Sequence, residues 1–363
     1  MQRSSCRIVA VFVVCGCGAS DGTAGGGSPT DGGAIDGATA SDASIDSSSS
    51  DAAPRGDGDA APSGATMGGC PMFPPSHPYN QDVSKVALDP SSASIIAKLK
   101  ARAGAIVAEY PGDEYVNIVP ASQPRVAVQT TSSFGFDAND AFVHDNGAGA
   151  TAPIPSGVRY ENASNPNSDH HMMILEQGTC RLYELYAWNP SSATTGWQAL
   201  VTWNLTKNEQ LPDGWGSTTA AGTPLLPGVI WYSEIAAGEI KHALDIVIPG
   251  AAIAQYEYAK PAARAGGACG NAYPADGFPY GGRLRLKQSF DATSFTGTQA
   301  KVVIVALKTY GMFNTDASGE TRSSLRLGDG NKLDQADMAQ LNKLTWDDFE
   351  IPTMTVIHST ACN

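Results

Sequence analysis

Apolar and polar residues alternate through much of the chain after residue 70. The alternation is clearest in five segments: 125–130, 180–188, 198–205, 242–248 and 283–290. A period of two is typical of strands that bury one face, and Gly-, Pro-, Asn- and Asp-rich segments separate them. This pattern predicts a mainly β fold, a β-sandwich-like single large domain.

Three segments predict helices instead. They are 91–103, 297–311 and 333–344. Ser91 and Ser92 can cap the first helix, and Gly104 would end it. The second is apolar on more than one face, so we expect it to be largely buried against a sheet. The domain should therefore carry about three peripheral or packing helices.

The first residues resemble an export signal. Arg3 and Arg7 precede the apolar run 8–14, which is too short to cross a bilayer as a helix. The run ends in VCGC, which resembles a bacterial lipobox. That resemblance implies a lipoprotein signal peptide over 1–17, a lipid on Cys17, and an extracytoplasmic protein anchored to a bacterial membrane. Plain secretion with cleavage nearby is the alternative.

Residues 18–69 are almost wholly Gly, Ala, Ser, Asp, Thr and Pro, and none is aromatic. Such a segment cannot bury enough apolar surface to offset its ordering entropy, so we predict a disordered tether. Its root-mean-square reach as a flexible coil is roughly 40 Å. The tether would hold a secreted domain, residues 70–363, away from the membrane.

The charge excludes one class of partner. The chain carries a formal net charge of −13 at pH 7, whereas nucleic-acid binding needs a basic surface. We expect no nucleic-acid partner, and the sequence indicates no particular cofactor.

Four cysteines lie in the predicted domain: Cys70, Cys180, Cys269 and Cys362. An even number in an oxidising compartment suggests two disulfides, with three possible connectivities. Because the ends of a domain often lie close together, we favour Cys70–Cys362 with Cys180–Cys269. The spacing contains no CxxC pair, so a zinc site is not indicated.

The segment DHH, Asp169 to His171, is the first candidate site. Neighbouring side chains of a regular strand point to opposite faces, so His170 and His171 should not share a site. Asp169 and His171 would share a face, as a carboxylate and the general base that it orients. The alternative is a polar strand entry without a chemical role.

Glu239 and His242 form the second candidate, where Gly238 predicts a turn from helix to strand. The alternative is a helix-terminal Glu with His242 buried and hydrogen-bonded. With His171 they could form a two-His, one-carboxylate metal set, but nothing in the spacing demands a metal.

A third feature is the row Arg283, Arg285 and Lys287 on one strand face. These cations could meet acidic sugars or the protein's own carboxylates, or form a solvated outer face. Tyr and Trp residues in loop-like positions support a saccharide ligand only slightly, because aromatic residues also fill β cores.

Several segments together resemble a widespread group of secreted proteins of soil microbes. They are HPYNQDVS, DHHMMIL, GEIKHAL, RLRLKQSFD and ALKTYGM, spread over nearly the whole predicted domain. The resemblance implies one intact secreted domain and carries no activity. In that group an Asp follows the YGM segment, and Asp316 stands at that place here, which makes it a further candidate.

Two hypotheses follow. The first is a surface-anchored hydrolase or lyase acting on extracellular polysaccharide, with Asp169 and Glu239 as carboxylates. His171 or His242 would carry the proton, and Asp316 would assist. The second is a non-catalytic saccharide-binding or adhesion lipoprotein. Acidic and His side chains that converge in one pocket would favour the enzyme, which we prefer; a flat aromatic strip would favour the binder.

Overall fold

The computed structural model describes residues 64–108, 114–130, 151–166, 168–186, 196–197, 199–268, 273–329 and 332–359. The chain divides into two units, Met1–Gly58 and Asp59–Asn363, and the described residues all belong to the second. The predicted signal peptide, Cys17 and most of the tether lie outside them. Among the described helices, none has the length and apolarity needed to cross a membrane.

Most ordered elements are strands, numbered here in chain order. They are β1 (Thr66–Met67), β2 (Cys70–Pro71), β3 (Ile106–Ala108), β4 (Val116–Val119), β5 (Val126–Ala127), β6 (Gln129–Thr130), β7 (Thr151–Ala152), β8 (Met172–Glu176), β9 (Arg181–Tyr186), β10 (Gly196–Trp197), β11 (Ala199–Asn204), β12 (Ile230–Trp231), β13 (Leu244–Pro249), β14 (Ile253–Ala259), β15 (Phe278–Tyr280), β16 (Arg283–Leu286), β17 (Met312–Ser318), β18 (Ser323–Leu325), β19 (Leu327–Gly328), β20 (Phe349–Glu350) and β21 (Val356–His358). Each of the five alternating segments contains at least one of these strands.

The helices are few and short. They are α1 (Ser92–Arg102), α2 (Tyr232–Ala237), α3 (Thr298–Thr309) and α4 (Gln335–Met338), with 3₁₀ turns at Pro78–Asn80, Leu226–Gly228, Gly250–Ala252, Ala339–Lys343 and Trp346–Asp348. The prediction of a mainly β domain with a few helices is confirmed. The helix predicted over 333–344 is shorter than expected, because the chain tightens into a 3₁₀ turn after Met338.

The largest sheet has six strands in the order β20-β16-β17-β13-β18-β3. Its centre is mixed, because β13 runs parallel to β17 and antiparallel to β18. A β-bulge interrupts β17: Ile246 pairs with Asn314 but Val247 pairs with Asp316, so Thr315 is the extra residue. Bulges re-aim side chains and are frequent beside functional sites.

Helices α1 and α3 cover an apolar face of this sheet. Ile96 and Leu99 from α1 and Val303 and Leu307 from α3 join the sheet residue Ile246 in one hydrophobic cluster. The first helix ends where predicted, because Gly104 has φ +63° and a Cβ there would lie 1.8 Å from the carbonyl oxygen of Thr321.

The second large sheet has four strands in the order β11-β9-β8-β4. Every residue of β8 is buried, so both faces of this sheet are covered. Met173 and Leu175 pack into one hydrophobic cluster, and Met172 and Ile174 pack into another on the opposite face. This explains why β8 reads as a continuous apolar run and not as an alternating one.

Backbone hydrogen bonds join the two large sheets at Glu114. The N–H of Glu114 donates to the carbonyl of Leu327 at 3.3 Å, and its own carbonyl accepts from the N–H of Asp329 at 3.1 Å. Glu114 lies two residues before β4, whereas Leu327 follows β18 of the six-stranded sheet with only Arg326 between. The candidate site lies at this junction.

The preferred disulfide connectivity is wrong. Cys70 is bonded to Cys180, with 5.4 Å between their Cα atoms, so neither Cys70–Cys362 nor Cys180–Cys269 forms. The short strand β2 packs on the turn between β8 and β9, where Gln177 also donates to the carbonyl of Gly68. Proximity of the domain ends was therefore a poor guide to the partner of Cys70.

Cys269 and Cys362 lie outside the described residues. The expected second disulfide now requires them to pair with each other. Described residues close to them in the chain, Ala268 and Ser359, both bond to Tyr256 of β14: the N–H of Tyr256 donates to the carbonyl of Ala268, and its carbonyl accepts from the N–H of Ser359.

Non-reducing peptide mapping should therefore link Cys70 to Cys180 and Cys269 to Cys362. Replacing Cys180→Ala should lower the free energy of unfolding by about 2–5 kcal/mol in urea titrations, because the bridge closes a long loop. Cys269→Ala is the matched control and should leave the Cys70–Cys180 peptide intact. Recovery of a Cys70–Cys362 peptide would contradict this pairing.

Candidate functional site

A buried arginine organises a cluster of carboxyl groups at the junction of the two large sheets. Arg326 lies between β18 and β19, and its side chain is 11% exposed. Its Nη1 contacts Oε1 of Glu114 at 3.0 Å, and its Nη2 contacts Oδ2 of Asp316 at 2.8 Å. Glu114 comes from the edge of the four-stranded sheet and Asp316 from the bulge in β17, so one guanidinium bridges the two sheets.

Further carboxyl groups surround this triad. Burial alone would lower the pKa of Arg326, but the negative charges of Asp316, Glu114, Asp245 and Glu161 outweigh it and raise that pKa. Arg326 therefore stays charged. Carboxyl groups outnumber it, and the cluster has an excess of acid.

The acid excess shifts the protonation of its members. Burial, followed by the charge of Glu161, raises the pKa of Glu114 to about 8. Burial also raises the pKa of Asp245 to about 7 and raises the pKa of Glu161. Asp316 shows the same direction, since burial raises its pKa although Arg326 opposes it. Such shifts mark functional sites when the groups also meet in space.

Local sequence makes room for the most deeply buried of these acids. Asp245 lies in β13 and is completely buried. A Cβ on Gly228 would lie 1.9 Å from its Cγ, so only glycine tolerates this carboxyl group. The hydroxyl of Tyr79 donates to its Oδ1 at 2.8 Å, which fixes the side chain in the interior.

The two adjacent histidines face different surroundings. His170 has φ +50°, and its Nε2 lies 2.8 Å from the carbonyl of Asn165. His171 is 1% exposed, its ring lies 5.2 Å from that of Tyr186, and its N–H donates to Oε2 of Glu161 at 3.1 Å. Burial and then the charge of Arg326 lower the pKa of His171 well below its usual range. The ring is therefore neutral.

Asp169 does not orient His171 as predicted. Its Oδ1 accepts from the hydroxyl of Tyr186 at 3.0 Å. The expectation assumed a regular strand across this segment, but β8 begins only at Met172, and the left-handed residue His170 breaks the alternation. Asp169 and His171 nevertheless both contact Tyr186, Asp169 through its hydroxyl and His171 through its ring.

Unfilled hydrogen-bonding atoms gather around this cluster. Within the part of the chain that the structure describes, buried side-chain atoms without a hydrogen-bond partner include Glu114 Oε2, both ring nitrogens of His171, Asp245 Oδ2, Tyr280 Oη, Asn314 Oδ1, Thr315 Oγ1 and Arg326 Nε. Buried polar atoms are almost always paired, so such a concentration calls for an explanation. A polar ligand that binds among them would supply it.

Glu184 shows what a purely structural buried acid looks like in this protein. It is completely buried and accepts from the backbone N–H groups of Leu225 and Leu226 and the indole of Trp203. Both of its oxygens are in use, whereas Glu114 and Asp245 each keep one unfilled oxygen.

The cluster reaches the surface at one end. Glu114 and His171 are at most 3% exposed. Glu161 and Tyr186 are half-buried and Asp169 is exposed, and the side chain of Asp316 is 19% exposed. Side-chain exposure therefore falls from Asp169 at the surface to Glu114 and His171 in the interior.

Two predicted residues lie elsewhere. Glu239 is exposed and pairs with Lys241 at 3.1 Å. Nε2 of His242 lies 2.9 Å from Oε2 of Glu234, and His242 is completely buried, as the structural interpretation of this segment anticipated. Glu234 and Glu239 line a cavity of about 320 Å³. The structure thus brings Asp169, His171 and Asp316 together but does not add Glu239 and His242 to them.

The cationic row on β16 is not a solvated face. Arg283 and Arg285 are 8% and 6% exposed. Arg283 donates to the carbonyl oxygens of Tyr310, Pro78 and Gln81. Arg285 pairs with Glu350, one of the protein's own carboxylates, so neither arginine is available for acidic sugars.

Sequence reasoning missed most members of the cluster. Arg326 and Asp245 each stand as a single charge in an apolar strand context, SLRLG and ALDIVI, and that was a usable signal because a buried charge needs a partner. Glu114 and Glu161 lie in segments without any such pattern. Only the tertiary structure shows that they meet Arg326.

No group of three or more His, Cys, Asp and Glu side chains within the described residues is arranged to hold a metal ion.

Comparison with known proteins adds no assignment to this geometry. No protein-family model, curated protein or solved structure matches the chain.

Proposed function

We propose that this chain is an extracellular acid–base hydrolase of polysaccharide whose active site is the carboxyl cluster around Arg326. One observation carries the proposal: several carboxyl groups and a neutral histidine converge with unfilled hydrogen-bonding atoms where the cluster opens to solvent. Convergent polar groups with perturbed protonation are the usual physical signature of catalytic sites.

Glu114 and Glu161 supply the acid. Each has a raised pKa, and the charge of Glu161 contributes to the shift of Glu114. Two nearby carboxyl groups in a buried site share a proton, because both cannot ionise at low cost. Glu161 is half-buried, so it is placed to pass that proton to the oxygen of a leaving group.

Asp316 supplies the opposing carboxylate. Burial raises its pKa, and the contact of its Oδ2 with Arg326 at 2.8 Å opposes that shift and favours the ionised form. An ionised carboxylate opposite a protonated one is the arrangement that glycosidic hydrolysis requires. His171, which is neutral and has ring nitrogens without a hydrogen-bond partner, can hydrogen-bond the substrate, but its lowered pKa makes it a weak base.

The charge of the cluster favours hydrolysis over a lyase reaction. Lyases that eliminate next to a uronic acid must neutralise the carboxylate of the substrate. Here both terminal nitrogens of Arg326 are already bound by Glu114 and Asp316. A uronate would meet the carboxyl groups of Asp169 and Glu161, and like charges repel.

The non-catalytic alternative has less support. Of the Tyr and Trp residues in segments that the sequence predicts as loops, Tyr79, Trp231 and Tyr280 are completely buried and cannot stack on a sugar, whereas Trp215, Tyr232 and Tyr273 are half-buried. Saccharide binding without turnover by the wild-type protein would nevertheless decide for a binding module.

The location remains part of the proposal. The lipobox-like VCGC sequence and the low-complexity segment after it support a lipid-anchored, extracytoplasmic protein. A disulfide between Cys70 and Cys180 agrees with an oxidising compartment.

Glu161→Gln and Asp316→Asn should each lower kcat on a soluble polysaccharide by about 10²–10⁴-fold. The first removes the proposed acid, and the second removes the proposed opposing carboxylate. The substrate panel should contain neutral, amine-bearing and uronic polymers, with no cleavage of the uronic ones. Glu239→Gln, an exposed carboxylate outside the cluster, is the control and should keep wild-type turnover. Wild-type turnover by both cluster variants would exclude this active site.

Protonation of the cluster predicts how stability depends on pH. Glu114 has its folded pKa raised from 4.5 to about 8, so the unfolded chain loses this proton first as pH rises. Its contribution is full below about pH 4 and is lost as pH rises toward 8. Urea unfolding at pH 5 and pH 8.5 should show a smaller fall in unfolding free energy for Glu114→Gln than for the wild type, by about 1–3 kcal/mol. Equal falls would show that Glu114 has an ordinary pKa.

Cys17→Ala should move the protein from the membrane fraction to the soluble fraction when both forms are expressed in a lipoprotein-processing bacterium, since one residue carries the proposed anchor. Cys15→Ala is the neighbouring control and should stay with the membrane. Membrane retention of Cys17→Ala would place the anchor elsewhere.

A further inference from the structure

We propose that the cluster around Arg326 binds a protonated amine and that the saccharide it accepts is an amino sugar. This inference rests on the proposed function for the saccharide, but the amine preference stands on the charges and hydrogen-bonding atoms of the cluster itself.

The cluster has more acid than its own cation can compensate. Arg326 uses Nη1 on Glu114 and Nη2 on Asp316. Asp169, Glu161 and Asp245 make no ion pair with a lysine or arginine among the residues that the structure describes. An additional positive charge in the cluster would therefore meet carboxyl groups that Arg326 influences only from a distance.

The carboxyl oxygens without a hydrogen-bond partner can accept from an ammonium group. Glu114 Oε2 and Asp245 Oδ2 are buried and unpartnered, and their residues are 3% and 0% exposed. The other oxygen of Glu114 is fixed on Arg326, so the free oxygen is held in the cluster. The raised pKa values of Glu114, about 8, and Asp245, about 7, mean that both carboxyl groups are protonated at pH 6, so an ammonium group that binds there displaces their protons. The ionised oxygens then accept only, and an ammonium group offers three donors and no acceptor. The buried end of the cluster is thus complementary to an ammonium group.

The remaining unfilled atoms point to hydroxyl groups beside the amine. Arg326 Nε is a donor, and Tyr280 Oη and the ring nitrogens of His171 can donate or accept. A simple polyamine offers no acceptor to these groups. A sugar ring that carries one amine and several hydroxyls satisfies both kinds of atom.

A bound amine would also offset the repulsion between the buried acids. Burial and mutual repulsion raise the pKa of Glu114 and of Glu161. A nearby positive charge favours the ionised carboxylates and lowers both pKa values again. A divalent cation would have the same electrostatic effect, but no described group of His, Cys, Asp and Glu has the arrangement to ligate one.

Three tetrasaccharides that share one β-1,4-linked glucose backbone separate the possibilities. They carry at C2 an amine, an N-acetyl group or a hydroxyl. Calorimetric titration of the full chain at pH 6 should show the amine form binding roughly 10-fold or more tightly than the other two, as one charge-assisted hydrogen bond implies. Equal affinities, or no binding of the amine form, would overturn the inference.

Glu114→Gln is the diagnostic variant, because Glu114 Oε2 is the buried carboxyl oxygen without a hydrogen-bond partner, and circular dichroism checks that the variant folds. It should reduce the preference for the amine form to less than about 3-fold. Glu239→Gln, an exposed carboxylate on another surface, should keep the full preference. An unchanged preference in folded Glu114→Gln would also count against the inference.

The hydrolase proposal and the amine-binding proposal can be refuted independently of each other. Tight and selective binding of the amine form without cleavage of any polymer would remove the hydrolase and keep the amine site. Cleavage that depends on Glu161 and Asp316, with no preference among the three tetrasaccharides, would keep the hydrolase and remove the amine site.

Discussion

The contact of Arg326 with Glu114 and Asp316 is the constraint on which the rest of the site depends. It joins the edge of the four-stranded sheet to the bulge in β17, and the backbone bonds of Glu114 reinforce the same junction. Taking an arginine and two carboxyl groups out of water is costly, and burial of ion pairs often adds little net stability. Removing one partner costs much more, because it leaves an uncompensated charge. The arrangement therefore holds the two sheets in one relation while keeping several ionisable groups close together.

A structure selected for stability alone would fill every acceptor of its buried acids, as this protein does at Glu184. Glu114 and Asp245 keep an unfilled oxygen each, and His171 keeps both ring nitrogens unfilled within the described part of the chain. Unfilled buried atoms cost free energy in the absence of a ligand. Their concentration around one arginine, next to a half-buried tyrosine and an exposed aspartate, is what a binding or catalytic site would retain. This contrast is the physical basis of the proposed function.

The histidine pair illustrates how local pattern and tertiary structure divide the information. Alternation predicted that the two rings would face different ways, and they do, but for another reason. The left-handed backbone of His170 turns the chain before β8 begins, so Asp169 reaches Tyr186 and not the ring of His171. The cysteines show the same limit. Cys70 pairs with Cys180 because β2 packs on the β8–β9 turn, which no spacing along the chain encodes.

The sequence by itself determined the mainly β class, the start and end of helix α1 and the turn at Gly238. These features depend on residues near one another in the chain, whose side-chain periodicity and backbone preferences act locally. Only the tertiary structure decided which acids meet Arg326, which cysteine meets Cys70, and that Glu239 and His242 belong to a different surface. Glu114, Glu161, Asp245 and Asp316 are far apart in sequence, and the contacts that gather them form only when two sheets pack against each other.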